Sequence, residues 1–344
     1  MTDNKIVRVG FIGAGNMARH HIKTMLTQPD TTEVVAICEP SATVYHTTAA
    51  LFTAAGLTPP PNLPDLMEFL GEFKDELDAV FIITPHVYHY QQAKACLEAG
   101  LHVLLEKPMV MNAEEARHLI DVRDQTGKLL VVAFNGGLSP HIRTAVKMLR
   151  SGDYGPILNI SGLIWQNWIS HVDGTWRVQP EISGGGFMFD SGAHLLNTVS
   201  DLAGENFSEV AAWLDNGSHQ VETRGVIMGR LESGALVTLH GCGEAPPSCS
   251  SDIKVFTPKA IFHLGAWGGY LNIQQLTSSD ETFENHTFQP VPVPPSLGGA
   301  WEQFLAVYHG EIENPCPPEV GLRMARLWDA IRASAAQGGI PVNC

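Results

Sequence analysis

The run Val7-Arg8-Val9-Gly10-Phe11-Ile12-Gly13-Ala14-Gly15-Asn16-Met17-Ala18-Arg19 decides the fold. Its first half is apolar and rich in β-formers, so residues 6–12 read as a buried strand. Its second half matches G-x-G-x-x-G/A and opens a helical pattern over residues 16–26. The first glycine of such a turn permits the bend. The second lets the backbone approach a pyrophosphate, and the small Ala18 lets helix and strand pack closely. The helix N-terminus then presents unpaired N–H groups and a positive dipole end to phosphates. Gly13, Gly15, Asn16 and Met17 are therefore candidate dinucleotide contacts. Glu39 ends the next apolar strand, residues 33–38, about 20 residues on, where a carboxylate accepts hydrogen bonds from ribose hydroxyls. A carboxylate repels a 2′-phosphate, which favours NAD. Ser41 and Arg19 lie nearby and keep NADP as the alternative.

Outward from this run the strand–helix alternation continues. Residues 78–84, 101–105 and 128–134 read as strands. A helix over 88–99 stops at Gly100. Another starts at Asn112, with Glu115 completing a capping-box pattern, and ends near Gly127. Short apolar strands alternating with helices mean a parallel sheet covered on both faces. In such sheets the carboxyl ends of the strands line the cofactor crevice. Thr84, Pro85 and His89, after the third strand, and Glu106 and Lys107, after the fourth, are candidate cofactor residues on that ground. After Asn135 the rhythm changes. A helix at 141–149 precedes strand-like segments at 157–164, 209–214, 221–231, 235–240 and 253–256, which read as an open, mostly antiparallel sheet. Residues 290–295 are proline-rich and extended. The expected class is α/β, with a Rossmann doubly wound parallel sheet in residues 1–135 and a second α/β domain in residues 136–344. The last helix, near 320–336, is a candidate to pack back on the first domain.

At 344 residues the chain suffices for two cores. Its net charge of −15 argues against nucleic acid and against anionic membrane surfaces, both of which require clustered Lys and Arg. No apolar run is long enough to span a bilayer. No basic-then-apolar leader precedes the first strand, so a cytoplasmic protein is expected. The six cysteines form no C-x-x-C pair, which suits reduced thiols and gives no metal site.

Three residues suit proton movement. Lys107 stands just past a buried strand and is fixed by Pro108 through a peptide bond that is a candidate for cis. Asp190 and His194 are four apart, which on a helix puts both on one face. Glycines at 184–186 would let that helix begin close to the cofactor. Histidine is the natural acid/base for interconverting an alcohol and a ketone near neutral pH. Trp165, Trp168 and Trp176 cluster just before these residues. Their faces suit pyranose rings, and Arg177 suits a hydroxyl or carboxylate, although a packed sheet or subunit interface also collects aromatics.

Taken together, Gly13 to Ala18, Thr84-Pro85 with His89, Glu106-Lys107-Pro108, the glycines at 184–186 and Asp190 with His194 resemble the glucose-fructose oxidoreductase / inositol dehydrogenase / MocA family over nearly the whole chain. The resemblance implies a Rossmann domain and a second domain whose open sheet makes a homodimer or homotetramer. It implies NAD(P)-linked oxidation or reduction of sugars, cyclitols or related polyols. It carries catalytic roles onto Lys107, Asp190 and His194, and a substrate role onto Asn135. Two departures bear on substrate: Gly136-Gly137 follows Asn135 where an arginine-containing segment is usual, and Asn197 stands where an aspartate often follows the histidine. A redox-neutral NAD-dependent glycosidase or eliminase is the rival within the family. A non-catalytic NAD(P)-binding regulator is the rival outside catalysis.

Overall fold

The computed structural model describes residues 6–275 and 287–344. They divide into two compact units: Met1–Ala133 with Gly298–Pro318, and Phe134–Leu297 with Glu319–Cys344.

The first unit is built on five parallel strands, β1 (Val7–Ile12), β2 (Thr32–Cys38), β3 (Ala79–Ile82), β4 (His102–Leu105) and β5 (Leu130–Val132), in the order β2-β1-β3-β4-β5. β3 and β5 are buried along their whole length, as a sheet covered on both faces requires. The helices are α1 (Asn16–Met25), α2 (Ala42–Ala54), α3 (Leu66–Phe73), α4 (His86–Glu98) and α5 (Ala113–Thr126). Ser41 caps α2, Asp65 caps α3 and Asn112 caps α5, and Gly127 ends α5 in the left-handed conformation. The sequence pattern left 42–77 unassigned; α2 and α3 occupy that stretch. Gly10 has no side chain because Phe69 of α3 and Leu77 fill the space a Cβ would need. The later segment 298–318 completes this core: Trp301 donates from its indole to Thr32 at 2.7 Å, and the Val132 N–H donates to the Cys316 carbonyl at 3.2 Å.

The second unit carries a nine-stranded sheet. Its strands include β6 (Asn159–Asn167), β7 (Phe207–Asp215), β8 (Arg224–Leu231), β9 (Leu236–Cys242), β10 (Glu244–Phe256), β11 (Ala260–Leu264) and β12 (Leu271–Gln275). From β12 they run β12-β11-β10-β6-β9-β8-β7, with Gln289–Pro290 and Val342–Asn343 as the outer edges. All neighbours are antiparallel except β6 and β9. One face is buried: Ile160, Ile164, Val237, Leu239, Ile253, Val255 and Phe262 point into the core. Helix Ala193–Ala203 lies on it, with Leu195 filling the space above Gly162, and helix Pro318–Ala336 is tied to β7 by the Ala212 N–H donating to Ser334. The alternate residues Trp213, Val226, Met228 and Leu236 are exposed large apolar side chains on the other face. Among the described residues no helix is long and apolar enough to cross a membrane.

Candidate active site

β1, β2, β3 and β4 end at one edge of the first sheet, and each releases a candidate residue there: Gly13, Glu39, Thr84 and Lys107. The strand order reverses between β1 and β3, which is where open parallel sheets bind ligands. Gly13 has φ +91°, and a Cβ on it would stand 2.5 Å from the Ile83 carbonyl oxygen. Only glycine fits. Gly15 faces open space, and α1 begins without a side-chain cap, so its first N–H groups are available to an anion. Met17 is exposed. The Asn16 side chain is taken up by Arg19, which also donates to the Ala14 carbonyl at 3.0 Å.

Glu39 is buried and fixed. One carboxylate oxygen accepts the Ala14 N–H at 2.9 Å and the other accepts the Ser41 N–H at 2.8 Å. Asn62 pairs with the Glu39 backbone in both directions, each at 3.0 Å, and Thr48 donates to the Ala14 carbonyl at 2.7 Å. A carboxylate has about four acceptor sites, so the ones left over can take ribose hydroxyls while the negative charge stays in place. Ser41, the NADP alternative, is committed to this turn and to capping α2.

His89 is a correction. It has no exposed surface, so it offers none to a cofactor. Its Nε2 lies 2.9 Å from the Thr84 carbonyl and its Nδ1 2.8 Å from the Pro108 carbonyl, so it ties together the turns that follow β3 and β4. Burial lowers its proton affinity against the pull of those two carbonyls. Thr84 donates its hydroxyl to Gln92 at 2.6 Å, and Pro85 precedes the first residue of α4. Lys107–Pro108 is a cis peptide. Glu106 accepts the Lys107 N–H at 3.0 Å and meets the His21 ring at 3.2 Å. His21 therefore links α1, the helix behind the glycine turn, to Lys107. No local motif marks it, because its partner lies 85 residues away.

In the second unit Asp190 is not on a helix. Helix Ala193–Ala203 begins only after it, and His194 lies in the first turn of that helix. The chain from 186 to 192 is a compact turn: the Asp190 N–H donates to the Gly186 carbonyl at 2.8 Å and the Gly192 N–H to the Phe187 carbonyl at 2.7 Å. A Cβ on Gly192 would strike the Met188 backbone, so the turn cannot open into a regular helix without losing this close approach. Both side chains are nevertheless buried. The Trp168 indole N–H donates to Asp190 Oδ2 at 2.8 Å, and Arg177 Nε lies 3.2 Å from the same oxygen. Trp176 stacks beneath the Arg177 guanidinium, 4.4 Å from ring centroid to cation. These contacts hold Asp190 as a charged acceptor. The His194 ring meets Phe134 edge-on and Trp267 at a tilt.

The glycines at 184–186 serve packing. Gly184 ends the short helix Pro180–Ser183, and side chains on Gly185 and Gly186 would collide with Trp328 and with the Glu222 backbone. Trp165 is a second correction. It alternates with the buried Ile164 and stands on the open face of the sheet, between Cys242 and Ser250 on the flanking strands, on the other side from the face that helix Ala193–Ala203 covers. Asn135 is exposed at the start of helix Asn135–Leu138. The departure at Gly136 has a steric cause: a Cβ there would stand 2.5 Å from both the Ala266 carbonyl and the Thr198 hydroxyl. Among the described residues, no group of three or more His, Cys, Asp or Glu side chains could hold a metal ion.

Residues 7–134 match the model of the GFO/IDH/MocA oxidoreductase family, NAD-binding Rossmann fold, and residues 142–263 match that family's C-terminal domain. The chain belongs to the GFO/IDH/MocA family. Levoglucosan dehydrogenase of Pseudarthrobacter phenanthrenivorans is 33% identical over 173 residues, 50% of this chain and 43% of that protein. A glycosyl hydrolase family 109 protein of Shewanella pealeana is 27% identical over 228 residues, 64% of this chain and 49% of that protein. The chain thus spans about half the length of the curated relatives it matches. Among solved structures, a dehydrogenase of Bordetella pertussis in complex with NADH and UDP-GlcNAcA aligns with a TM-score of 0.80 at 21% identity, over 99% of both chains, and shares the fold. The GFO/IDH/MocA fingerprint fits a dinucleotide here on steric grounds: the bend at Gly13 admits no side chain, Gly15 is open, and the Glu39 carboxylate stands fixed behind the turn.

Proposed function

We propose that this chain is an NAD-dependent dehydrogenase acting on a CH–OH group of a sugar, cyclitol or related polyol, or on the corresponding ketone. The observation that carries the reading is the buried Asp190 carboxylate, held by Trp168 and Arg177 and followed four residues later by His194, in a chain whose first unit is an NAD-binding Rossmann fold. The similarity to levoglucosan dehydrogenase supports the substrate class. NAD, when bound, supplies the hydride acceptor. Gly13, Gly15 and the start of α1 hold its phosphates, and Glu39 holds its ribose and disfavours NADP. His194 accepts the hydroxyl proton. Lys107 donates a hydrogen bond to the oxygen as negative charge develops on it. Asp190, acceptor-only when ionised, receives a substrate hydroxyl. The first unit then acts as the cofactor domain and the second as the substrate domain.

The test is a panel of levoglucosan, aldoses, myo-inositol and sugar acids with NAD and NADP, followed by absorbance of the reduced nicotinamide. Lys107→Ala and His194→Ala should each lower kcat/KM by about 10²–10⁴-fold with NADH affinity retained. Full activity in either variant removes that residue from the mechanism. The glycosyl hydrolase relative favours a second reading, redox-neutral cleavage through transient oxidation; turnover of a glycoside without net NADH would select it.

We also assign a second copy of the chain as partner for the open sheet face. Trp213, Val226, Met228 and Leu236 are each about half exposed there, an apolar set that isologous pairing would cover. A monomeric mass by light scattering at micromolar concentration would remove this assignment. The six free thiols suit a reducing cytoplasm.

A further inference from the structure

Glu222 lies just before β8 and has no part in the mechanism above. It is 6% exposed, and its Oε1 is buried with no hydrogen-bond partner. A buried carboxyl in that condition is costly when charged. Its backbone is locked to the turn that carries Asp190. The Phe187 N–H donates to the Glu222 carbonyl at 2.7 Å, and any side chain on Gly186 would collide with that carbonyl. The N–H groups of Gly186, Met188 and Phe189, with its own, favour the ionised carboxyl; burial outweighs them and pushes it up to about 7. Asp190 is the next residue after Phe189, and the turn's three bonds, Phe189 and Asp190 to Gly186 and Gly192 to Phe187, all close on this locked segment. The charged groups on the segments packed here have other partners. Asp190 pairs with Arg177, Arg224 with Asp215 and Glu244, and His219 with Glu244.

We propose that Glu222 is a positioning residue, and that gaining or losing its proton moves the 186–189 backbone and with it Asp190, so that substrate binding responds to pH separately from His194. The ionised carboxylate draws the N–H groups of Met188 and Phe189 inward. The protonated carboxyl is a weaker acceptor and releases them. The substrate part of this inference rests on the role proposed for Asp190; the movement does not.

The movement is read without any ligand. The Trp168 indole donates to Asp190, so its emission follows that carboxylate. The wild-type protein minus Trp168→Phe gives the Trp168 signal. Between pH 5 and 9 it should show a transition near 7 that Glu222→Gln abolishes and Glu222→Asp restores at a displaced pH. A transition that survives in Glu222→Gln, or no transition in the wild type, overturns the proposal. If Glu222→Gln does not fold, displacement of the transition in Glu222→Asp decides. With the fastest sugar or polyol of the panel, wild-type KM should change about fivefold across the same range and that change should vanish in Glu222→Gln, while the pH profile of kcat, which reports the acid/base group, should be the same in both. NADH affinity should be the same in both. Its loss in Glu222→Gln would mean general damage and overturn the positioning role. If instead Asp190→Asn keeps full activity while the Trp168 transition behaves as stated, the catalytic reading fails and the movement stands.

Discussion

Replacing Glu222 with Gln is expected to stabilise the second unit at neutral and alkaline pH, although it removes a charged group. In the unfolded chain this carboxyl titrates near 4.5; in the fold, burial raises it to about 7. Between those values the folded state holds a proton that the unfolded state has released. The contribution of Glu222 to stability is therefore fully present below pH 4.5, falls as pH rises, and is lost above 7. The gap, at about 1.4 kcal/mol per pH unit, comes to about 3 kcal/mol. Gln escapes this loss. It gives back about 1 kcal/mol because its amide must find its own partners beside an already unsatisfied Oε1 position. A net gain of about 2 kcal/mol near pH 8 follows.

Urea unfolding at pH 5, 6, 7 and 8, followed by tryptophan emission, measures this. Six of the seven tryptophans, all but Trp301, lie in the second unit, so the signal reports on the unit that holds Glu222 even if the two units unfold separately. Taking wild type minus Glu222→Gln at each pH cancels the histidines and exposed carboxylates common to both. The difference should fall by about 2–3 kcal/mol from pH 5 to pH 8. A difference that stays flat would mean that Glu222 is ionised at ordinary cost. A variant less stable than wild type at pH 8 would mean that the carboxylate has a strong partner and that the burial argument is wrong.

Gly13→Ala should abolish NADH binding and destabilise the first unit by about 1–3 kcal/mol, since the Cβ meets the Ile83 carbonyl at positive φ; NADH fluorescence enhancement and a thermal melt read the two effects. Wild type should bind NADH at least about tenfold, or about 1.4 kcal/mol, more tightly than NADPH, and Glu39→Gln should narrow that ratio; equal affinities in wild type would place the carboxylate away from the ribose. Trp168→Phe deletes a buried hydrogen bond to a charged group, worth about 1.5–3 kcal/mol, and should lower kcat/KM about tenfold or more with NADH affinity unchanged; steady-state kinetics and NADH titration separate the two.

The first unit was legible because its strands are short apolar runs bounded by glycines and caps, and because parallel strands put their carboxyl ends at one edge. Once the run at Gly13 sets the fold, the carboxyl ends of the strands that follow give the positions of Glu39, Thr84 and Lys107. Residues 42–77 were not legible. α2 contains Thr43, Val44, Thr47, Thr48 and Thr53, β-branched residues that weaken a helical reading. The Ser41 cap and the buried Thr48 hydroxyl, bonded to the Ala14 carbonyl, show what holds that helix in place. The Thr48 contact is tertiary, and no window of local sequence contains both of its partners.

The candidate site shows the same division more sharply. Spacing singled out Asp190 and His194 as candidates but misjudged the structure between them. Four residues apart suggests one helical face, yet residues 186–192 form a compact turn whose bonds from Asp190 to Gly186 and from Gly192 to Phe187 span four and five residues, and the adjoining backbones of Glu222 and Met188 occupy the room a side chain at Gly186 or Gly192 would need. Aromatic and basic residue types likewise suggested sugar contacts at Trp176 and Arg177. In the fold Arg177 pairs with Asp190 and Trp176 stacks on Arg177, so both support that carboxylate. Trp168, 22 residues from Asp190, stood out only as one of an aromatic cluster, and Glu222, 32 residues from it, carries no motif at all. A chemical group is announced by its residue type, but the partners that fix its direction and charge are recruited from wherever the chain folds back. Variants of Trp168, Arg177 and Glu222 therefore test the proposed chemistry as directly as variants of Asp190 itself, while leaving that carboxylate in place.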